Sequence, residues 1–236
     1  MQRLTFDQGH GMPLWSHDGQ RILFLNGRSG ETGLEMRAAD GSGEVVPVLK
    51  TPELLLPDAW LADGRRLVVT DAQGSIDIRI LDTGAGGKMT PLFASPSAAE
   101  YAAAPSPDGR YVAYTSTETG TDEVFVETIP PGRGKWQVSA GGLTPVWSRD
   151  GRQLYFVAGE SLIAVDVDTR DVFRAGVPRA LFSGPYDLRT VPQRNYDVGP
   201  DGRFVLVKRQ INSSRPGEIL VLDGWNAADP SRAAAR

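Results

Sequence analysis

The sequence predicts an all-β fold: a β-propeller of about five four-stranded antiparallel blades, closed by the N-terminal strand completing the last blade. Two observations carry this. Asp-Gly pairs recur at Asp18-Gly19, Asp63-Gly64, Asp108-Gly109, Asp150-Gly151 and Asp201-Gly202, at intervals of 45, 45, 42 and 51 residues. Apolar residues also stand at fixed offsets around each pair. A period of this size marks a repeat architecture, in which each unit buries its faces only against its neighbours.

The first two strands of each unit flank the Asp-Gly pair. Three residues before the Asp stand Trp15, Trp60, Pro105, Trp147 and Val198. Four after it stand Ile22, Leu67, Val112, Leu154 and Val205, and six after it Phe24, Val69, Tyr114, Phe156 and Val207. Offsets four and six share one face of a strand, because side chains alternate with a period of two. Asp-Gly between two apolar runs predicts a hairpin, since Gly takes positive φ freely and Asp tolerates it. Ser16, Ser106 and Ser148 precede the Asp by two, where a hydroxyl can bond the turn backbone. Trp15, Trp60 and Trp147 are expected to fill the wedge between blades and not to form a ligand cage.

Third strands are expected at Glu35–Ala38, Asp77–Leu81, Glu123–Val126, Leu162–Val165 and Glu218–Leu222, and fourth strands at Val45–Leu49, Met89–Phe93, Trp136–Val138 and Arg179–Phe182. The fifth unit has no fourth strand after Trp225. The segment Arg3–Phe6 is a strand without an owner, and pairing it with the fifth unit would remove two exposed sheet edges. Residues 1–226 are therefore expected to form a single domain, and the small, polar residues 227–236 a disordered tail.

Composition narrows the function. A net charge of −4 with no basic stripe gives no reason to expect nucleic acid. No run approaches the roughly 20 apolar residues of a membrane span, so no membrane insertion is expected. No apolar signal core follows Met1. The expected location is cytoplasmic for the chain as it stands, and periplasmic or extracytoplasmic within a longer chain. The absence of Cys excludes disulfides, thiolate catalysis and Cys-ligated zinc.

Catalytic constellations are sparse. The histidines are His10 and His17, and no Gly-x-Ser-x-Gly elbow is present. His17 falls in the first hairpin, at the position held by Ala62, Pro107, Arg149 and Pro200 in the others, and reads as a surface residue. The run Gly84–Lys88 is not a phosphate loop: Asp82 stands where the first glycine belongs, and Met89 replaces the magnesium-binding hydroxyl. Gly41-Ser42-Gly43 lacks the third glycine of a dinucleotide fingerprint. Asn212-Ser213-Ser214 matches a glycosylation acceptor, a pattern common by chance. The hairpin residues Gln20, Arg65, Arg110, Arg152 and Arg203 suit solvated turns better than a cationic ring. Glu35, Asp77, Glu123 and Glu218 open third strands, where they are expected to bond nearby loop amides in preference to a cation. No catalytic residue, metal or cofactor is assigned.

The repeats resemble the TolB-like propeller unit, which is WD-repeat-like and runs roughly W-S-x-D-G-x-x-I-x-F. Trp147–Phe156 follows it closely, as does Pro105–Tyr114, and Thr117–Val126 is typical of the approach to the third strand. A narrower likeness, in Gly134–Ser139, Phe173–Arg179 and Arg3–Asp7, is to the C-terminal propeller of bacterial serine/threonine kinases. The chain itself carries no Gly-rich loop with a lysine strand, no His-Arg-Asp loop and no Asp-Phe-Gly. The resemblance covers nearly the whole chain, and relatives commonly carry further blades upstream.

These readings point to a non-catalytic scaffold that binds a protein or peptide partner through loops opposite the Asp-Gly hairpins. The expected loops are Gln8–Met12, Thr51–Asp58, Ser95–Tyr101, Gly141–Thr144 and Ser183–Arg194, joined by Asn26–Gly33, Thr115–Asp122 and Arg209–Gly217. The candidate binding residues are His10, Arg28, Tyr101, Glu118, Arg189, Arg194 and Arg209. The alternatives are an extracytoplasmic sensor or regulatory fragment of a larger kinase-like protein, and a propeller-type hydrolase or lyase. Oligomeric state is not fixed by the sequence.

Overall fold

The structure is a computed structural model and describes residues 10–28, 31–84, 86–188, 194–208 and 218–222. Their regular structure is all β, in five antiparallel sheets. The first contains β1 (His10–Trp15), β2 (Arg21–Arg28), β3 (Glu31–Ala38) and β4 (Val46–Lys50), adjacent in chain order. The second contains β5 (Leu55–Trp60), β6 (Arg66–Asp71), β7 (Asp77–Asp82) and β8 (Lys88–Phe93). The third contains β9 (Glu100–Pro105), β10 (Tyr111–Ser116), β11 (Glu123–Thr128) and β12 (Lys135–Gln137). The fourth contains β13 (Leu143–Trp147), β14 (Gln153–Ala158) and β15 (Ser161–Asp168), its edge shared by β16 (Arg174–Ala175) and β17 (Arg179–Ser183). The fifth has β18 (Tyr196–Val198), β19 (Phe204–Lys208) and β20 (Glu218–Leu222). The orphan strand Arg3–Phe6, the closure it would provide and the tail 227–236 lie outside the described residues.

The chain divides into two compact units, Met1–Pro105 and Ser106–Arg236. In the first, the facing sides of the first two sheets form one apolar layer of Leu23, Leu34, Met36, Leu55, Leu67, Val69 and Leu81, with Trp60 packed against it. In the second unit the fourth and fifth sheets meet through Val146, Tyr155, Leu162, Phe182, Tyr196, Phe204 and Leu206. Tyr111, Trp136 and Trp147 each bring a ring to within about 6 Å of Phe173. Strands covered on both faces need apolar residues at consecutive positions, as Tyr111–Ser116, buried throughout, illustrates.

Four hairpins close on one pattern. The amide two before the Asp donates to the carbonyl three after it, as in Ser106 N to Tyr111 O at 2.8 Å, and the Gly amide donates back, as in Gly109 N to Ser106 O at 2.9 Å. The Ser hydroxyl donates to the Asp carboxylate at 2.6–2.7 Å in Ser16–Asp18, Ser106–Asp108 and Ser148–Asp150, and accepts the N–H of Arg21, Tyr111 or Gln153. The second hairpin has Leu61 in place of Ser, and there Asp63 Oδ1 accepts both Arg65 N and Arg66 N at 2.9 Å. Gly64, at φ +63°, also leaves room for the preceding hairpin, since a Cβ there would lie 3.2 Å from His17 Cβ. His17 itself is exposed, as its sequence position suggests.

The fifth hairpin departs from this. Gly199 N donates to Arg203 O, so the loop is one residue shorter, and Val198 faces Phe204 where Trp147 faces Leu154. A one-residue change reverses which side chains meet the core. Phe204 and Leu206 are buried and Val205 is 38% exposed, so in this repeat the core-facing residues stand three and five after the Asp.

One correction concerns Trp15, which is 58% exposed and not wedge core. It pairs with Ile22, on the face of the first sheet opposite the Leu23–Met36 layer, whereas Trp60 and Trp147 stand on covered faces. A second concerns Glu35. β3 begins at Glu31, so Glu35 lies mid-strand, facing Phe24 and accepting a hydrogen bond from Asn26 Nδ2 at 2.8 Å.

Candidate functional site

The first strands of the repeats carry a bulge six residues before the Asp. Met12, Ala102 and Thr144 occupy that position with φ of 54–55°. The pairing slips beside it in β1 and β13, and in β5 beside Pro57. A bulge exposes a ladder amide that needs another acceptor. Thr70 Oγ1 accepts Ala102 N at 3.3 Å, and Thr115 Oγ1 accepts Thr144 N at 3.0 Å. Both threonines stand seven after an Asp-Gly aspartate, in the preceding sheet. Leu25 holds that position before Pro57, which has no N–H to satisfy.

These bulges aim the loops at the sheet ends opposite the hairpins. In the first unit that end carries residues 51–54, 72–76 and 94–99. Arg79 bridges Asp71, at 3.0 Å, and Glu53, at 3.5 Å. Ser75 Oγ donates to Asp77 at 2.7 Å, and Ser95 N donates to the buried Glu100 at 3.2 Å. Asp58 accepts the Thr70 hydroxyl at 2.7 Å. Carboxylates thus hold the loop backbones and the Arg79 guanidinium.

In the second unit the corresponding end forms a cleft of about 380 Å³ between Thr121-Asp122, Ala140–Leu143 and Val157–Gly159. Gly142 shapes it: its amide donates to Asp122 O at 2.9 Å, and a Cβ there would meet the Phe156 ring at 2.7 Å. Glu123, at the start of β11, accepts Thr119 Oγ1 and Gln137 Nε2, both at 2.8 Å, and Gln137 also reaches Ser139 O. It ties the loop 117–122 to β12 through a hydroxyl and a side-chain amide, and not through the loop amides expected of it. Among the described residues, no cluster of three or more His, Asp or Glu is placed to hold a metal ion.

The sequence candidates fall variously. Glu118 lies in the loop 117–122, where it is ion-paired with Lys135, whose Nζ sits 4.8 Å over the Phe125 ring. Arg194 is half-buried, with Nη1 3.5 Å from Pro145 O. Tyr101 is not on a loop: the connection ends at residue 99, and Tyr101 is in β9, 3% exposed. His10 and Arg28 are at strand ends of the first sheet. Arg189 and Arg209 lie outside the described residues. The structure brings none of these seven into one described cluster. Sequence reading passed over the Glu53–Arg79–Asp71 bridge and Thr70 and Thr115. A hydroxyl recurring at the seventh position was the available signal for the threonines.

The hairpin ends are electrostatically quiet. Arg65 makes two 2.9 Å bonds to Asp82, and Arg110 pairs with Asp108 at 3.0 Å. Burial alone would raise the Asp63 carboxyl, but the amides of Arg66 and Arg65 and the Arg66 guanidinium outweigh it and hold its pKa at about 2.

Comparisons with known proteins agree on the fold. No protein-family profile matches the chain, and no curated protein matches it in sequence. Solved structures do. TolB from Acinetobacter baumannii superposes with a TM-score of 0.68 at 16% identity, over 90% of this chain and 51% of that one. A TolB structure from Agrobacterium tumefaciens gives 0.69 at 19% identity, over 91% and 76%. A puromycin-hydrolyzing peptidase of Mycobacterium tuberculosis gives 0.60 at 19% identity, over 92% and 36%. The chain therefore spans about half the length of the first. Likeness at this identity establishes a TolB-like β-propeller fold of about five antiparallel blades.

Proposed function

We propose that the chain is a non-catalytic TolB-like propeller scaffold, with residues 1–226 acting as one domain that captures a protein or peptide through the loops opposite the Asp-Gly hairpins. The observation carrying this is the cleft beside Gly142, lined by small side chains and backbone. Such a surface suits an extended peptide, recognised through its main chain and a few side chains. The carboxylates at these loop ends are engaged in holding loops, which supports a rigid platform over a reactive centre. His17, the histidine whose side chain is described, lies at the hairpin end, away from these loops.

The test is selection from a random-peptide library on the immobilised chain, followed by measurement on Thr121→Trp, which fills the cleft from an exposed position, and on Arg194→Ala. Recurring peptides that lose about tenfold or more in affinity on Thr121→Trp support the reading. Peptides bound equally by both variants and the parent would refute it.

A second reading is favoured by the coverage figures. The chain matches about half of one TolB and about a third of a hydrolase. It would then serve as a sensor or regulatory segment of a larger protein, with a kinase-like or hydrolase part elsewhere. The coding sequence immediately upstream decides this: a stop codon in frame, with no adjoining catalytic domain, removes it.

A further inference from the structure

The cleft beside Gly142 has one wall in Thr121-Asp122 and another in Ala140–Leu143. β12 mounts both. The second wall follows it directly in the chain, and Ser139, between them, accepts the Val124 N–H on its hydroxyl at 2.8 Å. The first wall belongs to the loop 117–122, which two side chains of β12 hold. Gln137 Nε2 donates to Glu123, which also accepts the Thr119 hydroxyl. Lys135 is ion-paired with Glu118.

Lys135 stands opposite Glu127 and Gln137 opposite Phe125, so both side chains leave β12 on the face that carries the Phe125 ring. The Lys135 ammonium lies 4.8 Å from the centroid of that ring and 5.8 Å from that of Tyr114. A carboxylate and two π faces therefore hold one cation, with about a third of each partner's side chain exposed. Aromatic faces strengthen such a pair, and partial burial shields it from salt. Residues 118–121 are themselves exposed. A segment with little buried surface keeps its place through bonds of this kind.

We infer that Glu118 and Lys135 are positioning residues for the cleft, and that the positive charge of Lys135 sets how tightly it holds a peptide. The inference rests on the peptide-capture reading above. The two walls are joined by the Gly142 N–H, which donates to Asp122 O at 2.9 Å, and this bond registers any displacement of the loop.

Amide hydrogen exchange on the whole ¹⁵N-labelled chain reads that bond directly. In Lys135→Gln and in Glu118→Gln the Gly142 amide should exchange about fivefold faster or more than in the parent. Lys135→Arg, which keeps the charge, should stay near the parent, and the double glutamine variant should be no faster than either single one. The Val124 amide should keep its protection, which separates a moved wall from a loosened sheet. Peptides selected on the parent should lose a similar factor in affinity on Lys135→Gln and regain it on Lys135→Arg. Thermal midpoints verify folding, and Glu118→Gln serves if Lys135→Gln does not fold. Unchanged Gly142 exchange in a folded glutamine variant, equal acceleration at Val124, or peptide affinity that ignores the lost charge overturns the inference. If the parent selects no peptide, the capture reading fails by itself, and Gly142 exchange alone decides whether the pair positions the wall.

Discussion

The hydroxyl of Thr115 accepts the backbone N–H of Thr144 at 3.0 Å, joining the second strand of one sheet to the bulge of the next. Thr70 and Ala102 repeat the contact in the other unit. Thr115→Val keeps the shape and strands a buried amide. It should cost about 1–3 kcal/mol in urea denaturation, with Thr115→Ser losing less. Equal stability of the valine variant would show that the amide finds another acceptor.

The short fifth hairpin makes an opposite prediction from the repeat alignment. Phe204→Ala should destabilise by about 3–5 kcal/mol, and Val205→Ala by less than about 1 kcal/mol. Denaturation midpoints compare them directly, and the reverse order would restore the unshifted register.

Tyr196 is fully buried, its hydroxyl donating to Thr144 O at 2.6 Å. Burial pushes its phenol well above the usual range. In an alkaline absorbance titration, at least one of the six tyrosines should ionise only as the protein unfolds. Tyr196→Phe should lower the amplitude of that step by one tyrosine and cost about 1–2 kcal/mol.

Acid sensitivity follows from the hairpin carboxylates. Asp18, Asp63, Asp108, Asp150 and Asp201 all have folded pKa values below the ordinary carboxylate value. The unfolded chain binds protons more readily, so their stabilisation is complete above the unfolded value and is lost as pH falls through the folded one. For Asp63 that window runs from 3.8 down to about 2. Asp63→Asn should be less stable near neutrality and show a shallower loss of urea midpoint across this range. An unchanged slope would remove Asp63 as a contributor.

Much of the fold was legible because its signal is periodic. Asp-Gly fixed the hairpins, and β20 was placed from its apolar run with its bounds unchanged. What failed was whatever breaks the period. Tyr101 read as a loop residue because nothing in the sequence marks where β9 begins, just ahead of the bulge at Ala102. Val205 was aligned with Leu67 and Leu154, which are buried, because offsets were counted from the Asp and not from the hydrogen-bonded pair. Trp15 read as wedge core because a shared residue type was taken for a shared environment. The loop end expected to bind was visible from strand alternation. Its cleft was not, because it depends on how Gly142, Asp122 and the turn at Gly159 approach one another through space.

The match between Leu25 and Pro57 bears on how such a chain diversifies. Where the hydroxyl acceptor is missing, the imino acid opposite has nothing to offer it, so the two positions form a unit of inheritance that straddles two repeats. Grafting one repeat into another's place would break that pairing on both sides. The module that keeps such a pair intact runs from one seventh-position residue to the bulge it answers in the next sheet, as from Thr70 to Ala102, out of phase with the sheets themselves.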